Sequence, residues 1–259
     1  MIGLGSGLGG GAAYSSGISS PLDLSGCKLW LRHNTGIEAD LDSSGNGIDH
    51  STTAGDMADG DKIDTWTDQS GEDNHATQAT EADRPLWVDA SNSLSYASGK
   101  YMDLRASISE GSESDFTFVF RGTLSGTNTA MSMFGNSSTD FWRINSGAKV
   151  IRTKVGGSAA SDFTESTALE TDVLYTFILT RVGANLEVHV DGGSSNVLSD
   201  HRWGDVSRED GDAFTVTNLG ASSDDSNGWR GIVKHAIYYS GALTTAQRNQ
   251  LQAWLNDND

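Results

Sequence analysis

The side chains able to ligate a metal, move a proton or grip a sugar are six histidines, 35 carboxylates, seven tryptophans and one cysteine. A hard cation needs several oxygens around a sharp turn, and Asp40-Leu41-Asp42-Ser43-Ser44-Gly45-Asn46-Gly47 begins in that manner. Its twelfth position is Ser51 where an EF-hand loop carries a bidentate Glu, so that reading fails. Asp56, Asp59 and Asp61, and Asp224-Asp225-Ser226-Asn227-Gly228, form similar oxygen-rich turns. The ordinary role of Asp and Asn there is to bond their own backbone. Calcium stays an unassigned option at Asp40, Asp42, Asp224 and Asp225, and no other cofactor is expected. Glycoside hydrolysis by retention needs two carboxyl groups about 5–5.5 Å apart. Glu38, Asp40 and Asp42 alternate, but in a polar stretch without strand character. Glu187, His189 and Asp191 share a strand face that reads as solvated, with no partner to tune a pKa. No catalytic residue is therefore expected.

The remaining groups exclude more. His33, His50, His75, His189, His201 and His235 never show the i, i+4 pairing of a helical zinc site. The lone Cys27 permits no intrachain disulfide and no Cys-based zinc site. There is no Gly-x-Ser-x-Gly elbow and no phosphate loop. Trp30, Trp66, Trp87 and Trp254 lie within apolar patterns and read as core, which leaves Trp142, Trp203 and Trp229 as the aromatics for stacking on carbohydrate.

Such groups need a scaffold, and hydrophobic periodicity describes one. Phe116, Phe118 and Phe120 share one face, with Thr117, Val119 and Arg121 opposite. Leu174–Arg181 is apolar on both faces over much of its length, as in a central covered strand. Asn185–Asp191 alternates, with Leu186, Val188 and Val190 inward, and residues 173–191 form a hairpin. Lys28–Arg32, Ile63–Thr67, Leu86–Val88, Lys100–Leu104, Ala130–Phe134, Phe141–Asn145, Lys149–Lys154, Ala213–Leu219 and Trp229–Tyr239 bring the count to about a dozen. Many short strands between Gly, Ser, Asn and Asp turns predict an all-β sandwich of two antiparallel sheets. One helix is expected near the end: Thr244-Thr245-Ala246-Gln247 is a capping box, and Leu251, Trp254 and Leu255 form a stripe at i, i+3 and i+4.

Seventeen Lys+Arg against 35 Asp+Glu give a net charge of −18. That disfavours a nucleic-acid partner or an anionic membrane surface. No apolar run reaches the length of a membrane span, and the first residues lack the features of a signal peptide. Residues 1–20 are rich in Gly and Ser and read as an arm, with Ile2, Leu4, Leu8, Tyr14 and Ile18 as its apolar anchor points. Residues 21–259 read as one folded domain, in which 33–62 is a long acidic surface loop.

Three blocks in order carry a resemblance. They are Asp23-Leu24-Ser25-Gly26-Cys27-Lys28-Leu29-Trp30-Leu31; then Trp66-Thr67-Asp68-Gln69-Ser70-Gly71-Glu72-Asp73-Asn74-His75 with Arg84-Pro85; and finally Asn185–Gly192, Trp229-Arg230-Gly231-Ile232 and the terminal helix. Across roughly 21–257 the chain resembles laminin-G-like, concanavalin A-type jelly rolls, particularly structural proteins of marine tailed bacteriophages. That resemblance implies a jelly roll in which Trp66 and the Asp68-to-Asn74 turn are scaffold. It also implies a non-enzymatic virion structural protein, a head decoration or a tail-fibre component, held to capsid or tail proteins through the arm. The Glu-x-Asp-x-x-Glu or Glu-x-Asp-x-Glu strand of the glucanase relatives is missing, which argues against hydrolysis. The alternative reading is a carbohydrate-binding adhesin for host-surface glycans; a glycoside hydrolase is more remote. The same fold hosts lectins, glucanases and structural modules alike.

Overall fold

Period-two alternation gives each strand two faces, and pairing such strands edge to edge produces sheets with one apolar side. The computed structural model describes residues 17–39, 57–111, 114–126, 130–136, 139–145, 147–148, 150–156, 160–164, 168–183, 185–192, 201–203, 213–222 and 227–259. Their strands are β1 (Cys27–Arg32), β2 (Ile37–Ala39), β3 (Ile63–Trp66), β4 (Ala76–Thr77), β5 (Leu86–Val88), β6 (Ser93–Tyr96), β7 (Met102–Glu110), β8 (Phe116–Thr123) and β9 (Met131–Gly135). There follow β10 (Phe141–Ile144), β11 (Val150–Lys154), β12 (Ser161–Thr164), β13 (Leu174–Val182), β14 (Asn185–Gly192), β15 (His201–Trp203), β16 (Phe214–Leu219) and β17 (Gly231–Tyr239), then the helix α1 (Thr245–Asp257). The five strands that the alternation does not reveal, β2, β4, β6, β12 and β15, have two to four residues each, too few to show a period.

Two antiparallel sheets form the expected sandwich. The first runs β15-β14-β13-β8-β17-β6-β5, with β1 also on β17; the second runs β12-β11-β10-β9-β16-β7-β4-β3-β2. Between them lies the core. Phe116, Phe118, Phe120, Phe177, Leu179, Val188 and Tyr238 from the first sheet meet Phe134, Trp142, Ile151, Phe214, Val216 and Leu219 from the second. Phe118 contacts Phe134 and Phe214 at 5.0 and 5.6 Å between ring centres, so the aromatic layer bridges the sheets. Gly231, at φ +133°, opens β17 where a Cβ would stand 2.1 Å from the Thr123 carbonyl oxygen, an approach no other residue permits.

The outer face of the first sheet carries a third layer. Thr244 Oγ1 accepts a hydrogen bond from Gln247 N, and Gln247 Oε1 accepts one from Thr244 N, which closes the predicted capping box. Leu251, Trp254 and Leu255 then settle on Trp30, Val119, Ile178, Ile237 and Tyr239. Burying each of those three side chains stabilises the docked helix by about 2 kcal/mol.

The Trp66-to-Asn74 motif is scaffold, as the resemblance implies. Trp66 is fully buried and donates Nε1–H to Arg32 O. Asp68 accepts from Trp30 N, Ser70 N, Ser70 Oγ and Asn74 N, at 2.6–3.1 Å.

Two expectations about segments change. Ile18, read as part of the arm, packs against the helix layer, and Trp254 Nε1 donates to Ser19 O at 2.9 Å; residues 17–20 thus belong to the folded body. Ile2, Leu4, Leu8 and Tyr14 lie outside the described residues. The acidic segment 33–62 does not begin as a surface loop: His33 is buried, Ile37–Ala39 is a strand paired with β3, and Met57 reaches the core. Within it, residues 40–56 lie outside the description.

Candidate functional site

Antiparallel register decides which side chains the outer face of the first sheet brings together. Thr176 stands opposite Arg121 and Asp191, Ile178 opposite Val119 and His189, and Glu187 opposite Thr180. The helix crosses this face and covers its apolar part, while its polar side leans over β13 and β14. Between them is a cavity of about 130 Å³, lined by Thr176, Ile178, His189 and Asp191 from the sheet and Thr245, Arg248, Asn249 and Gln252 from the helix. An apolar cavity of about 150 Å³ holds a benzene ring, so one six-membered ring matches this space. The Glu187–His189–Asp191 face, expected to be solvated, is instead roofed by α1: His189 is 7% exposed.

Charge in the cavity is unevenly matched. Arg248, itself 7% exposed, donates to Glu187 Oε2 at 3.3 Å, to Leu243 O and to Thr245 Oγ1. His189 Nε2 lies 3.6 Å from the same Glu187 oxygen. No described residue holds the Asp191 carboxylate by a hydrogen bond or ion pair. Gln252 gives its amide N–H to Asn256, yet its Oε1 is buried with no donor. Glu187 and Asp191 are four residues apart along one strand, hence roughly 13 Å apart. That exceeds the carboxyl separations of about 5–9.5 Å used in glycoside hydrolysis, so these two carboxylates do not form a hydrolytic pair.

Beside the cavity, Thr176 leads into a second cluster. Arg121 Nη1 donates to Thr176 Oγ1, and Arg121 Nε pairs with the Asp259 carboxylate. Asp259 also meets His235 Nε2 at 3.5 Å and Lys234 Nζ at 4.0 Å, and His235 Nε2 lies 3.1 Å from His33 Nδ1. Burial pushes both imidazoles towards their neutral forms, His33 down to about 3, and the surrounding cations add to it. Burial would raise the Asp259 carboxyl, but the His235 hydrogen bond and the Arg121 charge more than offset this and hold it below its usual range.

The donor atoms of His33, His235 and Asp259 lie within 4.8 Å of one another, close enough to share a metal. Against that, Arg121 and Lys234 already engage the carboxylate. A dication about 5 Å from each would be repelled by roughly 7 kcal/mol per cation at an effective dielectric of 20. Two such terms cancel most of the roughly 10–16 kcal/mol of a structural zinc site. The cluster is a hydrogen-bonded clamp that fastens Asp259 to β8 and β17, with His33 meeting it through His235.

The aromatic candidates fare differently from expectation. Trp142 and Trp229 are 0% exposed. Trp142 stacks on Phe134 and Trp229 lies edge-on to Phe120, so neither presents a face to a sugar. Trp142 is carried into the core by the four-residue strand β10, and Trp229, just ahead of β17, packs between Phe120 and Phe177. Trp203 lies on β15, whose backbone pairs with β14; its side chain is outside the described set. The weak calcium candidates Asp40, Asp42, Asp224 and Asp225 also lie outside it. Arg248, Asn249 and Gln252 were missed because helical spacing marks the stripe that docks, not the flank that overhangs a neighbouring strand.

Fold and cavity define a three-layer β-sandwich with a pocket under its helix. No protein-family model and no curated protein matches the chain. Among solved structures it is similar to Trypanosoma rangeli sialidase, at 15% identity and a TM-score of 0.51, over 95% of this chain and 35% of that one. The same enzyme in complex with sialic acid matches at 15% and 0.50, over 95% and 35%. A GH54 α-L-arabinofuranosidase soaked with a cyclic sulfate inhibitor matches at 16% and 0.50, over 88% of this chain and 63% of that one. The chain thus spans about a third of the sialidases, and likeness at this identity establishes the sandwich fold alone. The expectation of a non-enzymatic virion structural protein is corrected by these matches: the sandwich is shared with glycan-cleaving enzymes, which removes the ground for excluding an enzyme.

Proposed function

We propose that this chain is a glycan-binding β-sandwich module, of the kind an adhesin or a glycan-directed enzyme carries, with its sugar site in the cavity between the first sheet and α1. The observation that carries this reading is the cavity itself. It has room for part of one sugar and is lined by Ile178, Thr176, Asp191, Asn249 and Gln252, the mix of apolar surface and few polar groups that small-molecule sites use. The shared fold with sialidases and an arabinofuranosidase supports a carbohydrate context, as does the laminin-G-like, concanavalin A-type resemblance, a fold that hosts lectins.

A glycan array probed with the full chain tests the proposal, followed by calorimetry on the hits. Asp191→Ala should weaken the best hit at least fivefold with little change in unfolding temperature, because Asp191 supports no described contact. Binding that survives Asp191→Ala and a cavity-filling Asn249→Phe unchanged would remove the site from this cavity.

A further inference from the structure

The charges around the cavity specify what kind of sugar it takes. Lining it are the Asp191 carboxylate, the His189 imidazole and Arg248, whose guanidinium pairs with Glu187 behind the wall. Arg121, which reaches the cavity wall through Thr176, is already matched by Asp259, on which Lys234 also converges. Glu187 neutralises Arg248, so the charge left uncompensated is that of Asp191. The buried Gln252 Oε1 adds an acceptor that has no donor, a deficit that a bound ligand relieves by offering an N–H or O–H. Thr176 Oγ accepts from Arg121, and Thr245 Oγ1 accepts from Arg248, so both hydroxyl oxygens are partly spent.

A ligand matching this lining brings hydrogen-bond donors and no negative charge. We infer that the cavity takes a neutral pyranose or an amino sugar and rejects acidic sugars, sialic and uronic acids included. This rests on the glycan-binding reading and sharpens it. It also separates this chain from the sialidase with which it shares a fold, which has been solved in complex with sialic acid. The net charge of −18 acts in the same sense at longer range, by lowering the local concentration of anionic glycans at low salt.

The test compares three pyranoside probes on the full chain at pH 6.5, where the sugar amine carries its proton. One is uncharged, one carries a free 2-amino group and one carries a C6 carboxylate; ligand-observed NMR and calorimetry report binding. The expected order places the amino and neutral sugars at least tenfold above the carboxylate. Asp191→Asn should shrink the gap between amine and carboxylate to about twofold, and Asn249→Phe should abolish binding of all three. Equal or tighter binding of the carboxylate would overturn the inference and leave the glycan-binding reading standing. A preference for the amine that Asp191→Asn does not alter would also overturn it. Failure of all three probes, together with a blank glycan array, would sink the glycan-binding reading itself.

Discussion

Lowering the pH should loosen the clamp beneath the helix, and the structure sets the size of the effect. His33 is 3% exposed, and burial depresses its pKa from 6.5 to about 3; His235, fully buried, moves in the same direction. An unfolded chain therefore binds protons on these imidazoles below pH 6.5 that the folded chain refuses. Stability is fully present above pH 6.5 and falls as the pH drops from there towards 3. At pH 5 the His33 contribution is about 1.4 × log(1 + 10^1.5), or about 2 kcal/mol. Carboxylates held low, Asp162 and Asp259, come into play below their ordinary 3.8, and Glu110, whose carboxyl burial raises, titrates alike in the two proteins compared. Thermal unfolding at pH 7.5 and pH 5 should be followed for the native chain and for His33→Gln, which keeps a polar side chain but cannot titrate. The native chain should lose about 2 kcal/mol more than the variant, or roughly 4 °C more in Tm for a chain of this size. Equal losses in the two proteins would refute the neutral-imidazole account.

Other outcomes follow from the same physical arguments. Asp68→Asn places an amide group against the donors at Trp30, Ser70 and Asn74, and should cost at least about 2 kcal/mol in urea unfolding. Burial and the nearby Asp68 charge push the Cys27 thiol up to about 12, so the native protein should resist aromatic disulfide reagents at pH 8 and react on unfolding.

The sequence was informative where a physical signal repeats and silent where it does not. Alternation in 116–121 and 185–191 gave the correct faces because each strand is long enough to show its period. The Thr244–Gln247 box located the helix because capping is a local bond pattern. Periodicity could not show that α1 lies over Glu187, His189 and Asp191, since an outer sheet face looks solvated until something covers it. Nor does the sequence bring His33 to His235, 202 positions away, because their meeting depends on β1 pairing with β17. Trp142 and Trp229 misled for another reason: a four-residue strand at Trp142 and a connecting segment at Trp229 leave too little pattern to tell an inward ring from an outward one.

The position of β17 has a consequence for how the protein is made. This strand, residues 231–239, sits inside the first sheet and pairs with β8, β6 and β1, although it follows β8 by more than 100 residues. Until it emerges, β8 presents an unpaired edge beside Phe116, Phe118 and Phe120, the kind of template on which nascent chains stick to one another. The first sheet therefore cannot close until that later strand has been made, and expression at high temperature or high yield should be limited by chaperone supply.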